Sequence, residues 1–193
     1  MKPAVSRFYW SHLSGAKRIL DLGCAAGVLG RYKPEGIHVY GLDINPALVE
    51  EAAAYYEIAQ VWDLDQPTRL PFSDDYFDAV VAKDILEHLQ KPWRTLGEIR
   101  RVIRPRGEVL ASVICYRGWR VWNDYTHVRG FTMQSLRQMF TDAGFQVLGV
   151  WRMGGVPLSS RLNLIWLVPW LLRFAPFDWL WTSSYEIKAR RPN

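Results

Sequence analysis

Short apolar runs alternate with amphipathic segments along most of this chain. The runs have the length of strands and lack the regular polar alternation of a half-solvated sheet, which indicates burial on both faces. They lie at 18–22, 37–42, 58–62, 77–82, 108–114, 145–151 and 185–189. Strand and helix patterns that alternate in this way predict an α/β fold, a parallel sheet with helices on both faces.

The segments between the runs have helical character. We expect helices near 27–33, from Pro46 to Tyr56, from Pro92 to Ile103, and to Ala143 after an N-cap at Thr132. In the Pro92 helix the apolar residues face the sheet, and four arginines face outward as a solvated surface. These arginines are Arg94, Arg100, Arg101 and Arg104.

The first run ends in a loop of small residues. Ile19–Leu22 is followed by Gly23, Ala25, Ala26 and Gly27, and then by a helix start. Small residues after a strand allow a tight turn and a close approach of a ligand to the main chain, although the spacing is not that of the dinucleotide fingerprint. The pattern predicts either a nucleotide site or only a tight turn.

The second run ends in an acid, Asp43, about twenty residues after the glycine loop. An acid in that place can accept hydrogen bonds from ribose hydroxyls. Helix capping is the alternative role, but Asn45 fits the cap better because Pro46 would be the first helical residue. Gly23, Asp43, Asp63 and Asp84 all follow predicted parallel strands, so we expect them along one edge of the sheet.

Five motifs, in order, resemble those of class I S-adenosylmethionine-dependent methyltransferases over residues 18–150. They are Asp21–Gly27, Gly41–Asp43, Leu70–Phe72 with Phe77–Val80, Leu86–Leu89, and Arg101–Gly107. The resemblance implies a Rossmann-like, seven-stranded, mostly parallel sheet whose last strand is antiparallel. It implies S-adenosyl-L-methionine as cofactor, contacted by Asp21, Gly23, Ala25, Gly27, Asp43, Ile44, Asp63, Leu64 and Asp84. Asp65 competes with Asp63 for the adenine, and Ala25 stands where the family usually has glycine.

The acceptor side of the resembled site would be formed by 83–89 and 123–132. The resemblance makes His88 and His127 candidate catalytic residues, and Tyr125 a candidate acceptor contact. A histidine suits proton removal near neutral pH, but each could instead only orient its loop. We expect no metal site, because Asp, His and Cys do not recur at ligand spacing in the sequence.

The composition indicates the number of domains, the location and the charge of the partners, but not the reaction. The 193 residues are 49% hydrophobic, which predicts one folded domain spanning 1–193 with a sizeable core. Two cysteines and the absence of a signal-peptide pattern favour a cytoplasmic location. The net charge of +5 favours anionic partners without choosing among nucleic acid, membrane and acidic substrates.

Two segments depart from the resembled fold. The N-terminal arm, 1–15, is shorter than the helices that commonly cover the acceptor site in the resembled family, which implies an open site or a lid formed elsewhere. Alternatively, its aromatic residues only pack on the sheet. Residues 153–182 form an apolar, tryptophan-rich insertion that we expect to be helical. Its apolar run, 162–172, is too short to span a bilayer. The insertion fits a lid over an apolar acceptor, peripheral contact with an anionic membrane through 161–181, or a homodimer contact.

The sequence therefore predicts a methyltransferase acting at oxygen or carbon of a small or lipid-linked acceptor. An RNA or protein methyltransferase is the first alternative, supported by the basic charge. Nucleic acid is the weaker expectation, because the Asn-Pro-Pro-Tyr-like run typical of base-amino methyltransferases is missing after the fourth strand. A non-catalytic, cofactor-binding scaffold protein is the second alternative.

Overall fold

Helices and strands alternate as the sequence predicts. The computed structural model describes residues 3–13, 15–66, 69–116, 119–154 and 182–193. The helices in these ranges are α1 (Pro3–His12), α2 (Val28–Arg31), α3 (Pro46–Ala52), α4 (Pro92–Val102) and α5 (Met133–Asp142), with a 3-10 turn at Trp119–Trp122. The strands are β1 (Arg18–Leu22), β2 (His38–Asp43), β3 (Ile58–Val61), β4 (Phe77–Lys83), β5 (Ile103–Ile114), β6 (Gln146–Gly154) and β7 (Thr182–Arg190).

Within the described ranges, seven strands form one sheet in the order β3-β2-β1-β4-β5-β7-β6. Strands β1 to β5 are parallel to one another, and Leu20 of β1 lies between Tyr40 of β2 and Val80 of β4. Strand β7 runs antiparallel between β5 and β6. The predicted sheet, including its antiparallel last strand, is confirmed, and its parallel carboxyl ends meet along one edge.

The two faces of the sheet carry separate apolar layers. Successive residues of β1 point to opposite faces: Leu20 packs with Leu96 of α4, whereas Ile19 packs with Tyr9 of α1 and Leu29 of α2. Helices therefore cover both faces, as predicted. The burial of Tyr9 shows that this aromatic residue of the N-terminal arm packs on the sheet.

Several boundaries differ from those predicted, among them the end of β6 at Gly154 and the start of β7 at Thr182. Helix α2 has only four residues and α3 ends at Ala52. Strand β5 starts at Ile103, which pairs with Phe77 of β4. The register then shifts, and regular pairing continues from Ala79 with Glu108. One of the four arginines predicted to face outward does not do so. The side chain of Arg101 is directed inward and is only 14% exposed.

Residues 155–181, which hold most of the predicted apolar insertion, lie outside the described residues. Strands β6 and β7, which flank this segment, are paired from Gln146 with Arg190 to Gly154 with Thr182. Among the helices of the described ranges, none has both the length and the hydrophobicity needed to cross a bilayer.

Candidate active site

The glycine loop between β1 and α2 is held at the edge of the sheet by the neighbouring strand. The amides of Gly23 and Cys24 both donate to the Leu42 carbonyl, at 2.8 and 3.1 Å. Gly27 has a φ of 74°, and a Cβ there would lie 2.8 Å from the Ala52 Cα, so the turn requires glycine. Because α2 is only one turn long, the loop amides, and not a long helix, form this part of the site.

Asp43 connects the end of β2 to the same loop. Its Oδ2 accepts a hydrogen bond from the Ala25 amide at 2.8 Å, and its Oδ1 accepts one from the Asn45 amide at 2.9 Å. The Asn45 side chain caps α3 by accepting from the amides of Ala47 and Leu48. The prediction that Asn45, and not Asp43, caps this helix is confirmed. Ile44, the next residue, is 65% exposed at this edge.

The acids after β3 have separate partners. Asp63 accepts hydrogen bonds from the Asp65 amide at 2.9 Å and from the Gln66 side chain at 3.0 Å. The Asp65 carboxylate instead accepts from the Gln90 amide at 2.8 Å, which fastens this loop to the segment after β4. Asp65 therefore has a structural role, and Asp63, with half-buried Leu64, remains our prediction for the adenine contact.

Two further predicted cofactor residues lie at the ends of β1 and β4. Asp21 is buried and accepts a hydrogen bond from the Tyr56 hydroxyl at 2.6 Å. Burial is the main cause that raises the Asp21 pKa to about 7, and the neighbouring Asp43 charge adds to it. Asp84 is paired with the Lys83 ammonium and accepts from the Ser112 hydroxyl. Both acids therefore have partners within the fold.

His88 and His127 come together from two loops. Their ring centroids are 4.6 Å apart, with the ring planes inclined at 59°. The Val128 amide donates to the Glu87 carbonyl at 3.0 Å, so the two loops are joined beside the histidines. Burial and the neighbouring His127 lower the His88 pKa, which favours a neutral imidazole. Tyr125 is 96% exposed and lies outside this contact.

The hydrogen bonds define the proton position on each ring. The Val121 carbonyl only accepts, so His127 Nδ1 donates to it, at 2.6 Å. The Thr126 hydroxyl donates to Asp124 Oδ1 at 2.5 Å, so His88 Nδ1 donates to the Thr126 oxygen at 2.9 Å. In the neutral form of each ring the lone pair is then on Nε2, and neither Nε2 atom has a hydrogen-bond partner among the described residues.

Comparison with known proteins identifies the fold and the family. A family profile described as a methyltransferase domain matches residues 2–150. The chain belongs to the class I S-adenosylmethionine-dependent methyltransferases. A SAM-dependent methyltransferase from Archaeoglobus fulgidus has the same fold, with a TM-score of 0.75 at 20% identity over 97% of this chain and 92% of that one.

Curated relatives cover a shorter part of this methyltransferase. A ubiquinone biosynthesis O-methyltransferase of Aromatoleum aromaticum is 31% identical over 103 residues, or 51% of this chain and 44% of that protein. A sterol 24-C-methyltransferase of Gibberella zeae is 36% identical over 109 residues, or 51% of this chain and 29% of that protein. The chain thus spans less than half the length of these relatives.

The edge of the sheet fits the family cofactor, S-adenosylmethionine. That molecule carries positive charge on its sulfonium and its amino group, and the edge carries the carboxylates of Asp21, Asp43 and Asp63. The raised pKa of Asp21 shows a buried carboxyl that a nearby cation would stabilise in its charged form. The exposed apolar side chain of Ile44 beside Asp43 suits a flat aromatic ring. These residues would hold the cofactor of this methyltransferase.

Sequence reasoning missed several residues around the histidines of this methyltransferase. Asp124 and Thr126 belong to the sequence Asp-Tyr-Thr-His at 124–127, within the predicted acceptor segment 123–132, but their contacts with His88 depend on loop packing. Glu87 is 1% exposed, and its Oε1 accepts from the Ile114 amide at 3.0 Å. Its Oε2 has no hydrogen-bond partner among the described residues. The Asp-x-Thr-His spacing was the available signal for Asp124.

Proposed function

We propose that this methyltransferase transfers the methyl group of S-adenosylmethionine to an oxygen atom of a small or lipid-linked acceptor. The observation that carries this proposal is the contact between the His88 and His127 rings, on the segments that follow β4 and β5 at the carboxyl edge of the sheet. An acceptor hydroxyl bound against this pair meets groups that can assist the loss of its proton.

Oxygen is favoured because a hydroxyl arrives protonated, whereas its methylated product has no proton on that oxygen. S-adenosylmethionine supplies an activated methyl group on its sulfonium. The carbon–oxygen bond forms as the carbon–sulfur bond breaks, and the hydroxyl proton is released. The residues of this chain then need to align the acceptor with the methyl group and limit access of water.

The contacts between the two loops support such alignment. Besides the link from Val128 to Glu87, the Arg129 guanidinium donates to the Gln90 carbonyl at 2.8 Å. The loop that carries His127 is therefore fixed against the segment that carries His88. A fixed pair of loops can hold an acceptor at a defined distance from the cofactor, which is the main requirement for methyl transfer.

An apolar acceptor is supported by relatives and by the sequence. The relatives named above are designated for ubiquinone biosynthesis and for sterol 24-C-methylation. Segment 161–181 of this chain contains four tryptophans, and Arg161 and Arg173 flank its apolar run, 162–172. Tryptophan and arginine are favoured at membrane interfaces. We propose that this segment brings the enzyme to an anionic membrane surface, where the acceptor resides.

The test uses S-adenosylmethionine labelled on its methyl group, with the full chain and a whole-cell extract. We expect label in the organic phase, and we expect cleavage of methyl ethers to release it, because a carbon-bound methyl would survive that treatment. His88→Gln and His127→Gln should each lower the rate by about 10²-fold or more, the range of general acid–base assistance. His38→Gln, a surface substitution beside Glu57, is the matched control.

The outcomes separate the acceptor classes. Label in RNA or protein would overturn the proposal, and label that resists ether cleavage would move the reaction to carbon or nitrogen. Flotation with anionic vesicles tests the membrane contact separately. Replacing the apolar residues of 164–172 by polar ones should abolish flotation, and a shift from dimer to monomer without loss of flotation would instead identify a dimer contact.

A further inference from the structure

Three side chains that favour metal ions converge at the acceptor loops. His88, Asp124 and His127 each offer one ligand atom, and the three atoms lie within 4.8 Å of one another. We propose that these residues bind a divalent transition-metal or zinc ion beside the acceptor site. Two imidazole nitrogens and one carboxylate oxygen form a ligand set found in catalytic metal sites with open positions.

The hydrogen bonds around the histidines already have the arrangement that a metal site needs. A ligating histidine usually donates its second ring N–H to a carbonyl or carboxylate, which fixes the ring and its tautomer. His127 Nδ1 donates to the Val121 carbonyl, and His88 Nδ1 donates to the Thr126 hydroxyl, which in turn donates to Asp124. In the neutral form of each ring, Nε2 is therefore the nitrogen that could bind a cation.

The separation of the ligand atoms is compatible with a small adjustment of two loops. Bonds of about 2.1 Å to a tetrahedral ion place ligand atoms about 3.4 Å apart. Asp124 and His127 lie in one turn, closed by the His127 amide donating to the Asp124 carbonyl at 3.2 Å. The third ligand, His88, is tied to this turn through Thr126. Ligand atoms that lie 4.8 Å apart would have to approach each other by about 1.4 Å to bind such an ion.

Charge also favours a cation here. Asp124 contributes a carboxylate, which accepts hydrogen bonds from the Thr126 amide at 2.9 Å and from the Thr126 hydroxyl. The buried carboxyl of Glu87, next to His88 in sequence, has one oxygen, Oε2, without a hydrogen-bond partner among the described residues. The nitrogen ligands favour zinc, manganese, iron, cobalt or nickel over magnesium and calcium, which prefer oxygen alone.

A cation in this position would define the acceptor more closely. Three protein ligands leave at least one coordination position for an oxygen of the acceptor, and this step rests on the proposed function. A metal-bound hydroxyl loses its proton at lower pH than a free one. A catalytic zinc ion can expand from four to five ligands, so an acceptor with two adjacent oxygens, such as a catechol or a hydroxy-ketone, would chelate it.

The experiment measures cation binding without cofactor or acceptor, so its result is independent of methyl transfer. The untagged full chain, first treated with a chelator, is titrated with Co²⁺ while visible d–d absorption is followed. We expect one equivalent to bind and Zn²⁺ to displace it. His88→Gln, His127→Gln and Asp124→Asn should each weaken binding by about 100-fold, at least as much as the loss of an outer-shell partner.

Two further variants make the result specific. Thr126→Val removes only the partner that orients His88 and Asp124, so we expect about tenfold weaker binding. His38→Gln, which removes a histidine elsewhere on the surface, should leave binding unchanged. Thermal unfolding of each variant checks that the fold is intact. The proposal is overturned if the chain takes up no cobalt, or if the three ligand variants bind it as tightly as the unmodified chain.

Discussion

The Tyr9 hydroxyl donates a hydrogen bond to the Glu186 carboxylate at 3.0 Å, across 177 positions of the chain. The contact joins the first helix, α1, to the last strand, β7, and both residues are buried. Burial is the largest of the causes that raise the Glu186 pKa to about 7. The closing contact of the fold therefore contains a carboxyl group that is readily protonated near neutral pH.

The first prediction concerns the pH dependence of stability. The native Glu186 pKa of about 7 lies above the ordinary 4.5, so the native state holds the proton more tightly than the unfolded chain. Its stabilising contribution is complete below about pH 4.5 and is lost as the pH rises through 7. Glu186→Gln should match the unmodified chain near pH 4.5 and exceed its free energy of unfolding by roughly 3 kcal/mol at pH 8.

Urea unfolding at several pH values measures this difference. Glutamine keeps an oxygen that accepts from Tyr9, so the variant isolates the titration from the hydrogen bond. Glu50→Gln, which removes an exposed carboxyl on α3, should give a curve parallel to that of the unmodified chain. A Glu186→Gln curve that is also parallel would show that this group does not titrate differently on folding.

The second prediction concerns Asp43 and cofactor binding. Asp43→Ala removes the acceptor for the amides of Ala25 and Asn45, and it removes the carboxylate that we predict for the ribose. Hydrogen bonds to a charged group are worth about 1.5–3 kcal/mol, so the Kd for S-adenosylmethionine should rise roughly 10- to 100-fold. Titration calorimetry measures it. Glu51→Ala on nearby α3 is the control, and equal affinities in the two variants would contradict the assignment.

The third prediction concerns Ala25, which has a φ of 44°, in the left-handed region. This conformation costs a residue with a side chain about 1–2 kcal/mol, whereas glycine adopts it freely. Glycine in turn lowers the stability by about 0.5–1 kcal/mol, because its unfolded chain is more flexible. Ala25→Gly should therefore stabilise the protein by about 0.5–1 kcal/mol and bind S-adenosylmethionine more tightly. Gly27→Ala should have the opposite effect, since its Cβ would meet the Ala52 backbone. Thermal unfolding with and without cofactor tests both, and a destabilised Ala25→Gly variant would refute the argument.

Local patterns explain why so much of the fold could be predicted. The apolar runs around Leu20 and Val80 are strands because they fill both layers of the core, and the Asn45–Pro46 pair starts a helix by its own chemistry. The edge that gathers Gly23 and Asp43 follows from parallel topology alone. Each of these features depends on neighbours in sequence or on a general rule of sheet geometry.

The features that could not be predicted depend on contacts between residues that are distant in the sequence. The grouping of Asp124 with His88 requires the packing of two loops, which no spacing in the sequence encodes. The hydrogen bond that distinguishes Asp65 from Asp63 comes from the Gln90 amide, 25 positions further along the chain. Arg101 resembles its solvated neighbours in the helical pattern, yet it turns inward to the loop that contains Leu70.

The last prediction tests that inward arginine. Arg101 binds the Glu98 carboxylate at 2.6 Å, Asp74 at 2.8 Å, and the carbonyls of Phe72 and Leu70 at 2.8 and 3.0 Å. A lysine keeps the charge but cannot reach these acceptors with one planar fork, so Arg101→Lys should lower the free energy of unfolding by about 2 kcal/mol. Arg94→Lys, at an exposed position of the same helix, should change it by less than about 0.5 kcal/mol. Urea unfolding of both variants decides the matter, because equal small changes would mean that Arg101 is a surface residue like its neighbours.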